Sequence, residues 1–356
     1  MAAPRSADAH ADAPQGARLG FGAIAAGLVA LVAACFAGLT MGSAGIPVSD
    51  VIAELLDGLP GINVDSGLSA TQEAIVDKIR LPRVVLGLMV GATLSLSGAA
   101  YQGAFRNPLA DPYLLGIAAG AGLGATIAIT EGLGDGVGIF DPIPLAAFAG
   151  GLGAVWIAYA AGHIAGRSPV TLILAGVAVA SFLTACQTYV LQANSDVIRD
   201  VYQWILGRLA TSGWGEPLLL LPYFVITLVV VLRYRRVLDV LAVGDEEAAS
   251  LGVNPQRVRL IIVVAASLGA AAAVAVSGLI GFVGIIVPHT VRLAFGASNR
   301  VVLPLSVLFG AAFMVAADLI ARTAMDGAEL PIGVVTAFIG APFFAIVLRT
   351  SRRDVW

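Results

Sequence analysis

Long apolar runs recur along this chain, separated by short polar segments. Most reach the roughly 20 residues that an α-helix needs to cross a hydrocarbon layer. The pattern predicts ten such helices, at residues 19–41, 81–105, 113–130, 142–163, 170–192, 216–234, 259–277, 285–295, 301–322 and 332–348. The eighth is short, because Gly281, Gly284 and Pro288 interrupt its run. Two polar stretches read as surface helices. One is VSDVIAELL, with Ser49 as N-cap. The other lies within 195–211 around Trp204 and is too polar to span. Residues 131–141 read as a Gly-rich acidic turn. Small residues at helical spacing (Gly87 and Gly91; Gly116, Gly120 and Gly124) predict helices packed backbone to backbone.

The longest polar interruption, residues 235–257, lies between two apolar runs. DEEAASLG reads as a short helix with Asp245 as N-cap, Glu246 and Glu247 in the first turn and Gly252 as its stop. Ala248 and Leu251, three apart, are expected on one face. Arg233, Arg235, Arg236, Arg257 and Arg259 flank it, which puts it on the cytoplasmic side. With ten spans, Arg5, Arg18, Arg106, Arg167, these five, Arg292, Arg300, Arg349, Arg352 and Arg353 fall inside. That is fourteen of the 20 basic residues. Lys78, Arg80, Arg83, Arg199, Arg208 and Arg322 fall outside, and both termini are cytoplasmic.

Composition agrees with this reading. Of 356 residues, 58% are hydrophobic and 12% charged, against about 25% charged in a soluble domain. Cys35 and Cys186 lie in apolar runs and read as buried thiols, with no disulfide framework. Residues 1–17 read as a disordered cytoplasmic tail, and 18–356 as one transmembrane domain.

Candidate chemistry is sparse. Asp318 is an acid inside an apolar run, a functional candidate as a proton or ion relay. Arg322, four residues on, offers it a plain ion pair. His289, His163 and His10 stand without other metal ligands nearby. No phosphate-binding loop, nucleophile elbow or zinc-protease motif occurs, so the chain is not expected to be an enzyme or to hydrolyse ATP alone. Arg80, Arg83 and Arg322 are expected as exposed cations at the outer ends of helices, where they can dock an acidic partner or reach lipid headgroups.

Five stretches, in order, resemble one family: RLPR (80–83), GAAYQGAFRNPLADPYLLGIAAGA (98–121), GDEEAASLGV (244–253), SGLIGFVGIIVPHTVRL (277–293) and ADLIARTAMDGAELPIGVVTAFIGAPFF (317–344). They are similar to the FecCD/BtuC-type permeases of ABC importers for iron–siderophores, haem and cobalamin. The resemblance implies an all-α integral membrane protein, a ten-transmembrane-helix bundle of the type II importer kind, in the bacterial inner membrane. It implies a second copy or a close paralogue as partner, with the substrate path on the dimer axis. It also implies two ABC ATPase subunits holding ATP and Mg, an extracytoplasmic substrate-binding protein, and surrounding lipid. No cofactor resides in the chain, and no nucleic acid is involved. Gly244, Asp245, Glu246, Glu247, Ala248, Leu251 and Gly252 resemble the coupling helix seated on the ATPase. Arg80, Arg83 and Arg322 resemble the arginines that pair with glutamates of the binding protein. Gln102, Asn107 and Pro108 resemble part of a gate, and Trp204 and Arg208 stand near the outer mouth. Arg208 replaces the family's usual serine and favours an anionic cargo. Ferric siderophore is the first expectation, with haem or cobalamin behind it. A proton-coupled secondary transporter using Asp318 is the expectation of a different class.

Overall fold

The structure, a computed structural model, describes residues 19–42, 45–57, 64–133, 141–166, 168–210, 213–325 and 327–351. The expected tail at 1–17, the tip of the 131–141 turn, and Arg5, Arg18, Arg167, Arg352 and Arg353 lie outside the described residues.

Every regular element among the described residues is helical. In chain order these are α1 (Phe21–Thr40), α2 (Val48–Asp57), α3 (Ala70–Ile75), α4 (Leu81–Phe105), α5 (Ile117–Thr130), α6 (Pro142–Ile164) and α7 (Pro169–Ala193). There follow α8 (Ile198–Ile205), α9 (Gly215–Val243), α10 (Asp245–Ser250), α11 (Pro255–Ser277), α12 (Val283–Phe295), α13 (Asn299–Thr323) and α14 (Ile332–Ser351). Seven helical segments are long and apolar enough to cross a membrane: α1, the continuous stretch Ala70–Phe105, α6, α7, α9, α11 and α13. The remaining three expected spans, at α5, α12 and α14, are shorter apolar helices.

The bundle is built around α4. Small residues let neighbouring backbones come into contact with it, since without a hydrophobic drive in lipid the helices are held by close packing. A Cβ at Gly91 would strike the Gly310 carbonyl of α13, and one at Gly98 the Gly284 carbonyl of α12. Gly120 and Gly124 bring α5 against Gly150 and Ala146 of α6 in the same way. Gly116 acts differently. At φ 87° it is the left-handed break between a 3-10 turn, Pro112–Leu115, and α5. The helix expected to start at Tyr113 is therefore bent at its fourth residue. Cys35 and Cys186 are free, as expected, but only half-buried.

Two short helices begin at a common point. α5 has 14 residues and α12 has 13, or about 20 Å each at 1.5 Å per residue, against a hydrocarbon core of about 30 Å. α5 is preceded by the 3-10 turn and Gly116, and α12 by the irregular 278–282 segment. These two segments are joined, because the Tyr113 hydroxyl donates to the Ile280 carbonyl at 3.0 Å. Irregular backbone at such a depth persists only where protein covers it.

Three boundaries differ from expectation. Ser49 sits inside α2, and its hydroxyl bonds Asp50 at 2.7 Å. Residues 70–80, expected as loop, form a helix opened by a capping box between Ser69 and Gln72 that runs through a wider π turn into α4. α9 continues to Val243 rather than stopping at Tyr234. No helix breaker intervenes, and Leu238 and Leu241 are fully buried along its extra turns. Gly244, at φ 147°, ends it.

Candidate functional site: two polar clusters at opposite ends of α4

The first cluster surrounds α10. Gly244, not Asp245, is the N-cap, and Asp245 is the first helical residue. That leaves its carboxylate free to turn inward. It meets Arg259 of α11 at 3.1 Å and Arg106 at 3.2 Å. Arg106 is the left-handed residue (φ 50°) that ends α4. Arg259 also donates through Nε to the Ala104 carbonyl at 3.0 Å. One carboxylate thus ties α10 to the ends of both α4 and α11. Ala248 is buried beneath α10, whereas Leu251 is 67% exposed, so the two do not share a face. Glu246 and Glu247 are also exposed. Gly252 at φ 82° closes the helix as expected. The outward surface of α10 is therefore acidic, with a bare leucine in it. Beside the same end lies a second acid, Asp239 of α9. It accepts from Ser298 Oγ at 2.8 Å and from the Asn299 backbone N–H at 2.6 Å, and faces Arg300 Nε at 3.3 Å.

The expected gate residues also fall at this end. Gln102 is buried and donates to the Gly284 carbonyl at 3.1 Å, while its oxygen faces Arg292 at 3.5 Å. Arg292 in turn reaches Asn299 at 3.4 Å. Asn107 caps its own turn through Leu109 N–H, at 2.9 Å, and Pro108 is exposed. Trp204 and Arg208 are not with them. They lie beyond the far end of α11, where the Arg208 N–H bonds the Ser277 carbonyl at 2.8 Å.

The second cluster is at that far end. Arg80 and Arg83, expected to be exposed, are only 4% and 8% exposed. The correction has a physical cause, since both guanidinium groups are consumed internally. Arg83 spends Nε and one terminal nitrogen on Asp318 of α13 at 2.9–3.0 Å, and both terminal nitrogens on Glu329 at 2.8 and 2.9 Å. This is doubly bidentate pairing, which suits a planar guanidinium. Arg322 lies 3.7 Å from Asp318 and donates to the Gly38 carbonyl. Arg80 donates to the Leu39 and Thr40 carbonyls at 2.9 and 3.3 Å. The cations thereby satisfy the open carbonyls ending α1. Asp318's principal partner is Arg83 rather than Arg322. Spacing along one helix suggested Arg322, but the stronger partner comes from 235 residues away. Glu329, in the loop before α14, was not singled out by any pattern. The Arg83 guanidinium holds its carboxyl below the usual range. A cleft of about 300 Å³ opens beside these groups, lined by Arg83, Gln203, Arg208, Asp318 and Glu329 among others. No group of three or more metal-ligating side chains occurs among the described residues.

A bundle stitched through glycines, with seven helices among the described residues long and apolar enough to cross a membrane, defines a multi-pass membrane protein. The chain belongs to the FecCD transport family, whose family model matches residues 30–350. It is 45% identical over 284 residues to the cobalamin import system permease protein BtuC of Halobacterium salinarum, covering 80% of this chain and 75% of that one. It is 38% identical over 281 residues to the hemin transport system permease protein HmuU of Yersinia pestis, covering 78% and 83%. It is 37% identical over 309 residues to the Fe(3+)-citrate import system permease protein YfmD of Bacillus subtilis, covering 86% and 90%. The fold is similar to a solved structure described as an inward-facing metal-chelate type ABC transporter, with TM-score 0.78 and 29% identity, covering 92% of this chain and 98% of that one. This chain is a permease of the same transport class.

Proposed function

We propose that this chain forms the membrane channel of an ABC importer for a metal chelate, working as a pair of copies or with a close paralogue. Two ATPase subunits seat beneath α10, and an extracytoplasmic binding protein docks at the far end. The observation that carries this is the build of α10. Its inner side is locked to α4 and α11 through Asp245, while its outer side leaves Glu246, Glu247 and Leu251 bare. An acidic helix surface that the bundle leaves uncovered, outside the apolar layer, offers complementary charge to a basic partner groove. All ten apolar helices cross the bacterial inner membrane in this reading, with both termini in the cytoplasm. α5 completes its crossing through the 3-10 turn before it, and α12 through the irregular 278–282 segment. ATP and Mg act in the partner subunit. Cargo moves as the helix pairs rock between inward- and outward-open arrangements.

Docking through Arg83 requires Glu329 to move aside, because that acid covers the guanidinium edge facing the cleft. A carboxylate of the binding protein takes its place. Two observations bear on cargo. The 45% identity to a protein named for cobalamin import favours a corrinoid. Arg208, an exposed cation in the outer cleft, favours an anionic ferric siderophore. We place the corrinoid first and the siderophore second. The test presents cobalamin, a ferric siderophore and haem, each on a binding protein, to the reconstituted importer. Stimulated ATP hydrolysis by the cobalamin-loaded protein alone supports the first reading. Stimulation by the ferric chelate alone replaces it with the second. Transport that survives without ATP and collapses with the proton gradient overturns the ABC mechanism in favour of a relay at Asp318.

A further inference from the structure

The cytoplasmic hairpin of α9 and α10 grips the bundle at two places, not one. The first grip is Asp245 on Arg106 and Arg259. The second lies earlier, on α9. Asp239 uses both carboxylate oxygens on the turn between α12 and α13: Oδ2 on Ser298 Oγ at 2.8 Å and on Arg300 at 3.3 Å, and Oδ1 on the Asn299 N–H at 2.6 Å. An acid at the first N–H groups of a helix, reinforced by a cation, is a strong anchor. It caps α13 from another helix, in addition to the local cap by Ser298. α9 is unbroken from Pro222 through Val243, so Asp239 is fixed four residues, or about 6 Å along the helix, from its end, one residue before α10 begins. The turn it holds is connected onward. Arg292 bonds Ala297, Asn299 and Gln102, so the turn, the end of α12 and the end of α4 form one polar unit.

We propose that Asp239 is a positioning residue for transport, through which movement of the hairpin reaches α12 and α13, while Asp245 moves α4 and α11. The proposal rests on the reading of α10 as the seat of the ATPase. α13 carries this displacement to Asp318 at the opposite end, where it is paired to α4. α12 carries it to the joined segments around Ile280. Without Asp239 the hairpin still binds its partner and still moves α4 and α11, but α12 and α13 no longer follow.

The test uses the importer assembled from this chain and its ATPase subunits in vesicles. Asp239→Asn keeps the shape and removes the charge. ATPase co-purification and basal hydrolysis are expected to stay at the parent level, while cargo moved per ATP falls about tenfold, within the usual span of coupling between sites. Asp239→Glu is expected to restore part of the loss. Leu251→Arg, on the partner surface, is the comparison, and is expected to lower ATPase binding itself. If Leu251→Arg acts and Asp239→Asn leaves cargo per ATP unchanged, the inference is wrong and the α10 reading stands. If neither variant has an effect, both fall. Should Asp239→Asn reduce the yield of folded chain, Ser298→Ala and Arg300→Gln each remove one contact. A smaller drop in cargo per ATP is then expected from each, and parent-level values from both overturn the proposal.

Discussion

The Arg83–Asp318 pair gives the sharpest quantitative test, because its two halves are not equivalent. Asp318 lies between two cations. Replacing Arg83 by Met leaves the acid with Arg322, already 3.7 Å away. Replacing Asp318 by Leu strands two buried cations: Arg83 keeps only Glu329, and Arg322 keeps only the Gly38 carbonyl. Breaking a buried pair from one side costs about 3–5 kcal/mol, most of it the penalty of the uncompensated charge. Arg322 softens the first change, so Arg83→Met is expected near 3 kcal/mol and Asp318→Leu near 5 kcal/mol, the two ends of that range. The double variant removes both ends of one interaction, and its cost is expected to fall about 2 kcal/mol short of the sum, a coupling within the range for residues in contact. Unfolding by sodium dodecyl sulfate in mixed micelles, followed by tryptophan fluorescence, measures all four proteins. Additivity within about 0.5 kcal/mol, the behaviour of independent sites, would refute the argument. So would a greater cost for Arg83→Met than for Asp318→Leu.

Three further outcomes follow from the same geometry. Gly98→Val drives a Cβ into the backbone of α12, which cannot yield as a side chain can. It is expected to lose folded yield on size-exclusion chromatography, while Gly22→Val, with nothing within 4 Å, stays near the parent. Arg80→Met removes a charge-assisted tie to the end of α1, a contact of about 1.5–3 kcal/mol. A cysteine introduced at Met41 should then label faster, and an unchanged rate would show that α1 is held elsewhere. Glu329 has a depressed folded pKa, so its contribution is present above the ordinary carboxylate value and is lost as pH falls through the depressed one. A spin label at Ala328 is expected to gain mobility only as pH drops below the usual glutamate value of about 4.3, in the parent but not in Glu329→Gln.

Seven of the ten expected spans were legible at full length because lipid imposes one rule, that a crossing backbone must satisfy its own hydrogen bonds. Runs such as 81–105 and 142–164 therefore show their length directly. The irregular segment before α12 was readable from Gly281, whereas Gly284 and Pro288 fall inside the helix without breaking it. The bend at Gly116 was not readable, since a glycine in a small-residue stripe looks the same whether it packs a helix or interrupts one. The sequence pattern ends α9 at Tyr234, where the charged residues begin. The charge marks only the edge of the apolar layer, and the buried Leu238 and Leu241 carry the helix on. At the candidate site, local chemistry was visible and long-range pairing was not. Asp245 looked like a cap because spacing cannot show Arg106 and Arg259 arriving from other helices. Arg80 and Arg83 looked free because their partners lie on α1, on α13 and in the loop before α14.

These misses point to one architectural fact. α4 and α13 are antiparallel, touch through Gly91 and Gly310, and are fastened at both ends. At one end Arg106 holds Asp245, and the α13 start is held by Asp239. At the other, Arg83 holds Asp318. Two helices in backbone contact, clamped by ion pairs at top and bottom, resist sliding past each other, because a slide of even one residue moves every glycine off its opposing carbonyl. With both clamps in place, Asp239 at the hairpin end and Asp318 at the other, the pair moves as one body. Under the alternating access proposed above, this makes α4 and α13 the stiff element. The bending is left to the joints that carry no such clamp, Gly116 before α5 and the 278–282 segment before α12. Under the proposed seating of an ATPase on α10, force delivered there has a rigid path to the far end of the bundle and two built-in places to turn.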